Sequence, residues 1–247
     1  MLKVKNLMVF FENALAVNDL SLEVNEGEVI GVFGSNSAGK TTLLNTIAGL
    51  TRHLKYREQR KGGMRITING EIKYAGEEIS RLKPSDRVAR GIVLCRERHP
   101  VFRDNTVEEN LKLGGYLRKD GEIRQSISSV YELFPALQKL KARKAGMLSG
   151  GEKEMVAIGM AMIAKPKLLL MDEPLLGLSP AMQHEVVRGV KEICRLGVTI
   201  LISEQYARPI MPVIDRGYVI ENGTMVVSGT GAELMENPEV KSAYFGA

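Results

Sequence analysis

Cysteine is scarce and long apolar runs are missing from this 247-residue chain, and each shortage excludes a class of protein. Cys95 and Cys194 lie far apart and have no His or Cys neighbour at metal-ligand spacing, so two buried free thiols are expected, without a disulfide framework or a zinc site. Nowhere do about 18 apolar residues follow one another, because Lys165, Pro166 and Lys167 break the best candidate after Val156; a membrane-spanning helix is not expected. The opening MLKVKNLMVFFEN has no apolar stretch after a basic start, and it alternates as a strand does, which points to a cytosolic chain. Charge of one sign is lacking too: 34 Lys and Arg are interleaved with 29 Asp and Glu, so the formal charge of +5 does not mark a nucleic-acid partner. The densest basic stretch, Arg52, Lys55, Arg57, Arg60 and Lys61, also holds Glu58 and reads as a solvated loop or hairpin tip.

What is present suits one large α/β domain: 44% hydrophobic and 26% charged residues leave enough apolar material for a substantial core. Leu2, Val4, Leu7 and Val9, then Leu20, Leu22 and Val24, alternate with polar neighbours and predict two early antiparallel strands. Val29-Ile30-Gly31-Val32-Phe33 is a continuous apolar run, as in a strand buried on both faces, and a helix is expected from about Gly39 to Gly49. Asn69-Gly70 between apolar stretches predicts a hairpin within Met64 to Ile72, and Ile92-Val93-Leu94 a short buried strand. From about Pro100 to Ala164 apolar residues recur at helical spacing, as in Val107 and Leu111 or Val130, Leu133 and Leu137. Strand and helix then alternate: Leu168 to Met171, a helix from Pro180 to Arg195, Val198 to Ile202, Tyr218 to Ile220 and Met225 to Val227. The pattern predicts a mostly parallel sheet flanked by helices.

Gly34-Ser35-Asn36-Ser37-Ala38-Gly39-Lys40-Thr41 fits the phosphate-loop motif G-x-x-x-x-G-K-[ST], between a buried strand and a helix as that motif requires. Its backbone N–H groups and the helix start are suited to surround phosphate oxygens. Lys40 is expected on the β- and γ-phosphates, the Thr41 hydroxyl on Mg²⁺ and Thr42 toward the α-phosphate. Leu168-Leu169-Leu170-Met171-Asp172-Glu173 ends an apolar run in two carboxylates, with Asp172 expected at Mg²⁺ and Glu173 as general base toward the attacking water.

Leu148-Ser149-Gly150-Gly151-Glu152, ahead of a long apolar helix and the carboxylate-bearing strand, resembles the signature of ATP-binding-cassette (ABC) ATPases. The resemblance spans nearly the whole chain and is nearest to the LivF-type ATPase subunits of branched-chain amino-acid importers. Supporting segments are Asn25-Glu26-Gly27-Glu28, Thr106-Val107-Glu108-Glu109-Asn110 after Phe102, Leu133-Phe134-Pro135, Pro166-Lys167-Leu168-Leu169 and Gly177-Leu178-Ser179-Pro180. It implies a P-loop NTPase core of RecA-like type with a mostly parallel sheet and an N-terminal antiparallel β subdomain, over residues 1–97 and 159–247, and a helical subdomain over 98–158. It implies ATP and Mg²⁺ as cofactors, and a head-to-tail dimer in which Ser149, Gly150, Gly151 and Glu152 of one subunit face nucleotide held by the other. The second subunit is a further copy or a LivG-like ATPase; the other partners are permease subunits at the cytoplasmic membrane face and, indirectly, an external solute-binding protein, with no nucleic acid.

Carried over position by position, Phe11 stands where an aromatic stacks on adenine, Glu97 at the position of a Mg²⁺-contacting glutamine, and Gln205 where most relatives have a switch histidine. Ser179 replaces a usual aspartate. Ser37 replaces a usual glycine, and Arg96-Glu97-Arg98-His99 replaces a Pro-Glu-Gly-Arg pattern; Met160 stands for a frequent arginine. Other readings are an importer of another small solute such as urea, and a soluble cassette ATPase acting on ribosomes or DNA. Against the latter stands the lack of a second cassette, a heptad run or a basic-aromatic surface. No N-K-x-D motif supports a regulatory GTPase.

Overall fold

The computed structural model describes residues 1–98 and 100–244, so His99 lies outside the described residues. Strands β1 (Leu2–Phe11) and β2 (Ala14–Val24) pair antiparallel, as their alternation predicts, and join β4 (Ile66–Tyr74) and the two-residue β5 (Glu77–Glu78) in a sheet ordered β2-β1-β4-β5. The second sheet is ordered β10-β9-β3-β8-β7-β6, from β3 (Val29–Phe33), β6 (Ile92–Cys95), β7 (Leu168–Asp172), β8 (Thr199–Glu204), β9 (Arg216–Glu221) and β10 (Thr224–Thr230). Its pairings are parallel except for β9 with the edge strand β10.

The continuous apolar runs form strands covered on both faces, and their two-residue period divides them between two cores. Ile30 and Val32 of β3, with Leu168 and Leu170 of β7, pack toward the antiparallel sheet and the helix α1 (Lys40–Ile47). Val29, Phe33, Leu169 and Met171 pack on the opposite side. That second core takes in residues of the later helices α4 (Val107–Gly114), α5 (Asp120–Leu133), α6 (Pro135–Lys139), α7 (Gly150–Ile163) and α8 (Pro180–Arg195). The helix α7 runs unbroken through residue 158, where the family resemblance implies a subdomain boundary.

Three local expectations are corrected. The basic stretch forms no hairpin tip: Arg52, Lys55 and Arg57 lie in α2 (Leu50–Gln59), launched from the left-handed Gly49 (φ 85°), and only Arg60 and Lys61 fall in the turn that follows it. Leu54 and Tyr56 stay exposed on the helix, so apolar periodicity gave little signal. Asn69-Gly70 makes no hairpin; β4 runs straight through, and Gly70 (φ 102°) sits where the register with β1 shifts between Lys5 and Met8. A Cβ at Gly70 would stand 2.6 Å from the Asn6 carbonyl oxygen, so glycine here permits a bulge rather than a turn. Of the two free cysteines, Cys95 is buried but Cys194 is only partly so, its Sγ 3.3 Å from the Gly27 carbonyl. The remaining described α-helices are α3 (Pro84–Ala89), α9 (Gly231–Glu236) and α10 (Pro238–Tyr244), and 3-10 turns span Ala145–Met147 and Met211–Val213.

Candidate active site

Because β3, β7 and β8 run parallel in adjacent positions, their carboxyl ends share one edge of the sheet, where ligands of open α/β folds bind. The loop from Gly34 to Gly39 leaves β3 there and enters α1. Glycine is required at both ends of it: a Cβ on Gly34 would collide with the Ile220 carbonyl, and one on Gly39 (φ 106°) with the Ala16 carbonyl. Ser37 adopts φ 65°, the left-handed conformation that its usual glycine takes without strain. Ser35, Asn36 and Ser37 are exposed and Ala38 is buried, while Thr41 and Thr42 are half-buried in the first turn of α1. That helix starts with no side-chain cap and no acidic residue in its first turn, so its leading N–H groups remain suited to an anion.

Lys40 is 3% exposed, and its Nζ lies 2.8 Å from the Gly34 carbonyl oxygen, 3.0 Å from that of Ser35 and 3.0 Å from Glu173 Oε1. The Thr41 hydroxyl donates to Asp172 Oδ1 at 3.2 Å, so the two expected Mg²⁺ ligands adjoin one another. Burial raises the pKa of Asp172; hydrogen bonds from Ser203 and Thr41 oppose that, and the charges of Glu97 and Glu173 add to it. Glu97 is thus close enough to Asp172 to act on it electrostatically, and its carboxylate also lies 3.8 Å from Arg98 Nε. Arg98 has φ 65° at the place of the pattern's glycine, so the backbone keeps a glycine-like form although the residue has changed. A hydroxyl and carboxylates are hard oxygen donors that fit Mg²⁺, and their small number suits an ion that keeps waters and takes phosphate oxygens.

Ser149 caps α7 through a capping box: its Oγ accepts from Glu152 N–H at 3.3 Å, and the Glu152 carboxylate accepts from Ser149 N–H at 2.7 Å. Glu152 therefore serves the helix start itself. Ser149 and Gly150 are exposed, whereas Gly151 is buried where any Cβ would collide with Met182 of α8. Among the described residues no hydrogen bond or ion pair joins 149–152 to the phosphate loop at 34–41. Phe11 ends β1, part-buried against the apolar cluster that includes Ala38. Gln205 follows β8 directly and is half-buried, and Ser179 precedes α8 without capping it through its side chain.

One pair escaped sequence reasoning. Ser203 and Glu204, the last residues of β8, are buried beside the Asp172-Glu173 turn; Ser203 Oγ donates to Asp172 Oδ1 at 2.7 Å and Glu204 Oε1 accepts from Leu175 N–H at 2.9 Å. The available signal was an acidic residue closing an otherwise apolar strand run.

A phosphate loop with its lysine, and a parallel strand one place removed in the sheet that leads into paired carboxylates, define a P-loop nucleoside triphosphatase. This chain belongs to the ABC transporter family, whose pattern matches residues 17–176. It is an ATP-binding, ATP-hydrolysing transporter subunit. It is similar to the high-affinity branched-chain amino acid transport ATP-binding protein BraG of Pseudomonas aeruginosa, at 38% identity across 100% of both chains. It resembles the lipopolysaccharide export system ATP-binding protein LptB of Haemophilus influenzae at 32%, over 99% of this chain and 97% of that one. A probable branched-chain amino acid transport ATP-binding protein, LivF of Archaeoglobus fulgidus, is 32% identical over 100% of this chain and 99% of its own. Among solved structures, the ADP conformation of an ABC-transporter cassette superposes with a TM-score of 0.83 at 27% identity, covering 100% of this chain and 99% of the other.

Proposed function

We propose that this chain powers an importer of branched-chain amino acids from the cytoplasmic face of the membrane. The observation that carries this reading is the end-to-end similarity to BraG, 38% with neither chain overhanging the other. In this reading Lys40 and the phosphate-loop N–H groups hold the β- and γ-phosphates, Thr42 adds a bond toward the α-phosphate and Phe11 stacks on adenine. Thr41 and Asp172 hold Mg²⁺, with Glu97 beside them; when bound, the ion neutralises charge on the phosphates. Glu173 accepts the proton of the attacking water, and Gln205 orients polar groups around the γ-phosphate without becoming cationic.

The Lys40–Glu173 pair supplies an order of events. A γ-phosphate oxygen competes with the Glu173 carboxylate for the same ammonium, so seating the triphosphate releases the base beside the water it must polarise. Ser149 and the N–H groups of Gly150 and Gly151 then cap that phosphate from a second ATPase subunit, either another copy or a LivG-like chain. Dimer closure passes to the permease subunits through the segment around Glu97 and the helical region, and cargo reaches the permease from an external solute-binding protein. A solved neighbour described as a dimeric cassette, 19% identical, supports the availability of such an arrangement to this fold.

A second reading follows from the 32% similarity to LptB, which would make the chain the motor of a lipopolysaccharide exporter. Purification from native membranes discriminates: co-purifying amino-acid permease subunits support import, whereas lipopolysaccharide-export components replace the reading and ribosomal proteins or DNA overturn both. The role of Glu173 has its own test. Glu173→Gln is expected to lower ATP turnover at least about 100-fold and to trap an ATP-bound dimer, and a variant turning over at the parental rate removes Glu173 from its assigned place.

A further inference from the structure

Glu173 holds φ 46°, a left-handed conformation that a residue with a Cβ reaches at a cost of about 1–2 kcal/mol and keeps only where its surroundings impose it. The Lys40 ion pair holds the Glu173 carboxylate and Leu176 N–H donates to the Glu173 carbonyl at 3.1 Å, while the turn's leading N–H groups are held from β8. Pro174 has no N–H, so Glu173 and Leu175 supply the backbone donors at the start of this turn. Glu173 N–H goes to the Ser203 carbonyl at 3.0 Å, with Ser203 Oγ also at 3.3 Å, and Leu175 N–H goes to Glu204 Oε1 at 2.9 Å. Both donors thus end on the final two residues of β8. The Glu204 side chain spans the gap that strand pairing no longer covers, because the β7–β8 register stops at Asp172 with Ser203.

We propose that Glu204 is a positioning residue for ATP hydrolysis: by accepting the Leu175 N–H, its carboxyl holds the turn that keeps Glu173 in its left-handed conformation and aims its side chain at the reacting phosphate. This rests on the reading of Glu173 as general base. Glu204 is 4% exposed, and Lys40, Glu173 and Glu154 are the charged groups that act on it. Burial first, then the repulsion of Glu173 and Glu154, outweigh Lys40 and the Leu175 hydrogen bond and raise its pKa to about 8. A carboxyl that stays protonated at neutral pH accepts a hydrogen bond without placing a second full negative charge beside the base, and a glutamine reproduces both properties.

The test compares Glu204→Gln with Glu204→Met, which keeps the length of the chain and removes the strong acceptor. Glu204→Gln is expected to lose no more than about threefold in kcat, and Glu204→Met about tenfold or more, with KM for ATP within about twofold of the parent in both. Equal kcat in the methionine variant and the parent overturns the proposal, as does a loss shared by both variants or a rise in KM matching the fall in kcat. Should the methionine variant fail to fold, amide hydrogen exchange at Leu175 decides in the parent and the glutamine variant. Slow exchange in both sustains the bond, and exchange as fast as that of exposed Gly177 in either one refutes it. If Glu173→Gln retains the parental rate, the base assignment fails; if it is inactive while Glu204→Met is unaffected, only the present proposal fails.

Discussion

The two ends of β3 hold charged clusters built in opposite ways. At its start, Glu28 accepts from Arg216 at 2.8 Å and from Asn25, and both partners of the ion pair reach water, with side chains 21% and 33% exposed. Burial works against the Glu28 charge there, but bonds from Arg216 and Asn25 prevail and hold its pKa at about 2. At its far end, Lys40, Glu173 and Glu204 are each less than a tenth exposed, and burial pushes Glu204 up to about 8. The first cluster ties β3 to β9 with every group in its ordinary ionic form. The second gathers groups that are costly to bury, next to a strained backbone, and that arrangement suits a triphosphate far better than it suits stability.

Breaking the contrast at the far end has the largest effect. Lys40→Ala leaves the Glu173 carboxylate buried without its ammonium, so about 3–5 kcal/mol of stability should be lost along with hydrolysis, as read by denaturant unfolding and phosphate release. Replacing both partners, as in Lys40→Met with Glu173→Gln, should restore most of that stability and none of the turnover. At the other end Arg216→Ala should cost about 1 kcal/mol, given the exposure of the pair, and leave kcat within about twofold. A larger kinetic than thermodynamic effect of Arg216→Ala would abolish the distinction between the ends.

Acidity sharpens the same comparison, because the two glutamates depart from 4.5 in opposite directions. The folded pKa of Glu28 is the lower one, so its contribution is present above about 4.5 and lost as pH falls toward about 2. The folded pKa of Glu204 is the higher one, so its contribution is complete below about 4.5 and lost as pH rises to about 8. Glu28→Gln should therefore flatten the acid limb of stability against pH, and Glu204→Gln the slope between about 5 and 8. Unfolding free energies measured from about pH 2 to about 8 check both signs.

Much of this was legible because some chemistry is local. Gly34 to Thr41 and Asp172-Glu173 are contiguous segments whose residue types suffice to predict their setting, and Leu148 to Glu152 stands ahead of an apolar run that reads as a helix. What escaped depends on partners distant in sequence. Asn69-Gly70 carries the signal of a two-residue turn, and only the pairing of β4 with β1 makes it a bulge. The basic α2 has little apolar periodicity, since its buried residue is Thr51. Glu204 gains its significance from Leu175, 29 positions away in sequence and across the gap between two strands.

The smallest expected effect concerns Ser37, where an L-residue occupies a left-handed site at φ 65° in a loop whose other left-handed residue, Gly39, is a glycine. Ser37→Gly removes about 1 kcal/mol of steric strain from the folded chain but also frees the unfolded chain by a comparable amount, so net stability should move by no more than a few tenths of a kcal/mol. Nucleotide binding is the more sensitive readout. A loop without that strain reorders around phosphate at lower cost, and KM for ATP should fall by about two- to fivefold with kcat nearly unchanged. The same change at Arg98 (φ 65°), beside Glu97 rather than in the phosphate loop, relieves equivalent strain and should leave KM where it was. An equal response at the two positions would mean that the backbone strain, wherever it is held, is felt by the nucleotide, and that the phosphate loop has no special claim on it.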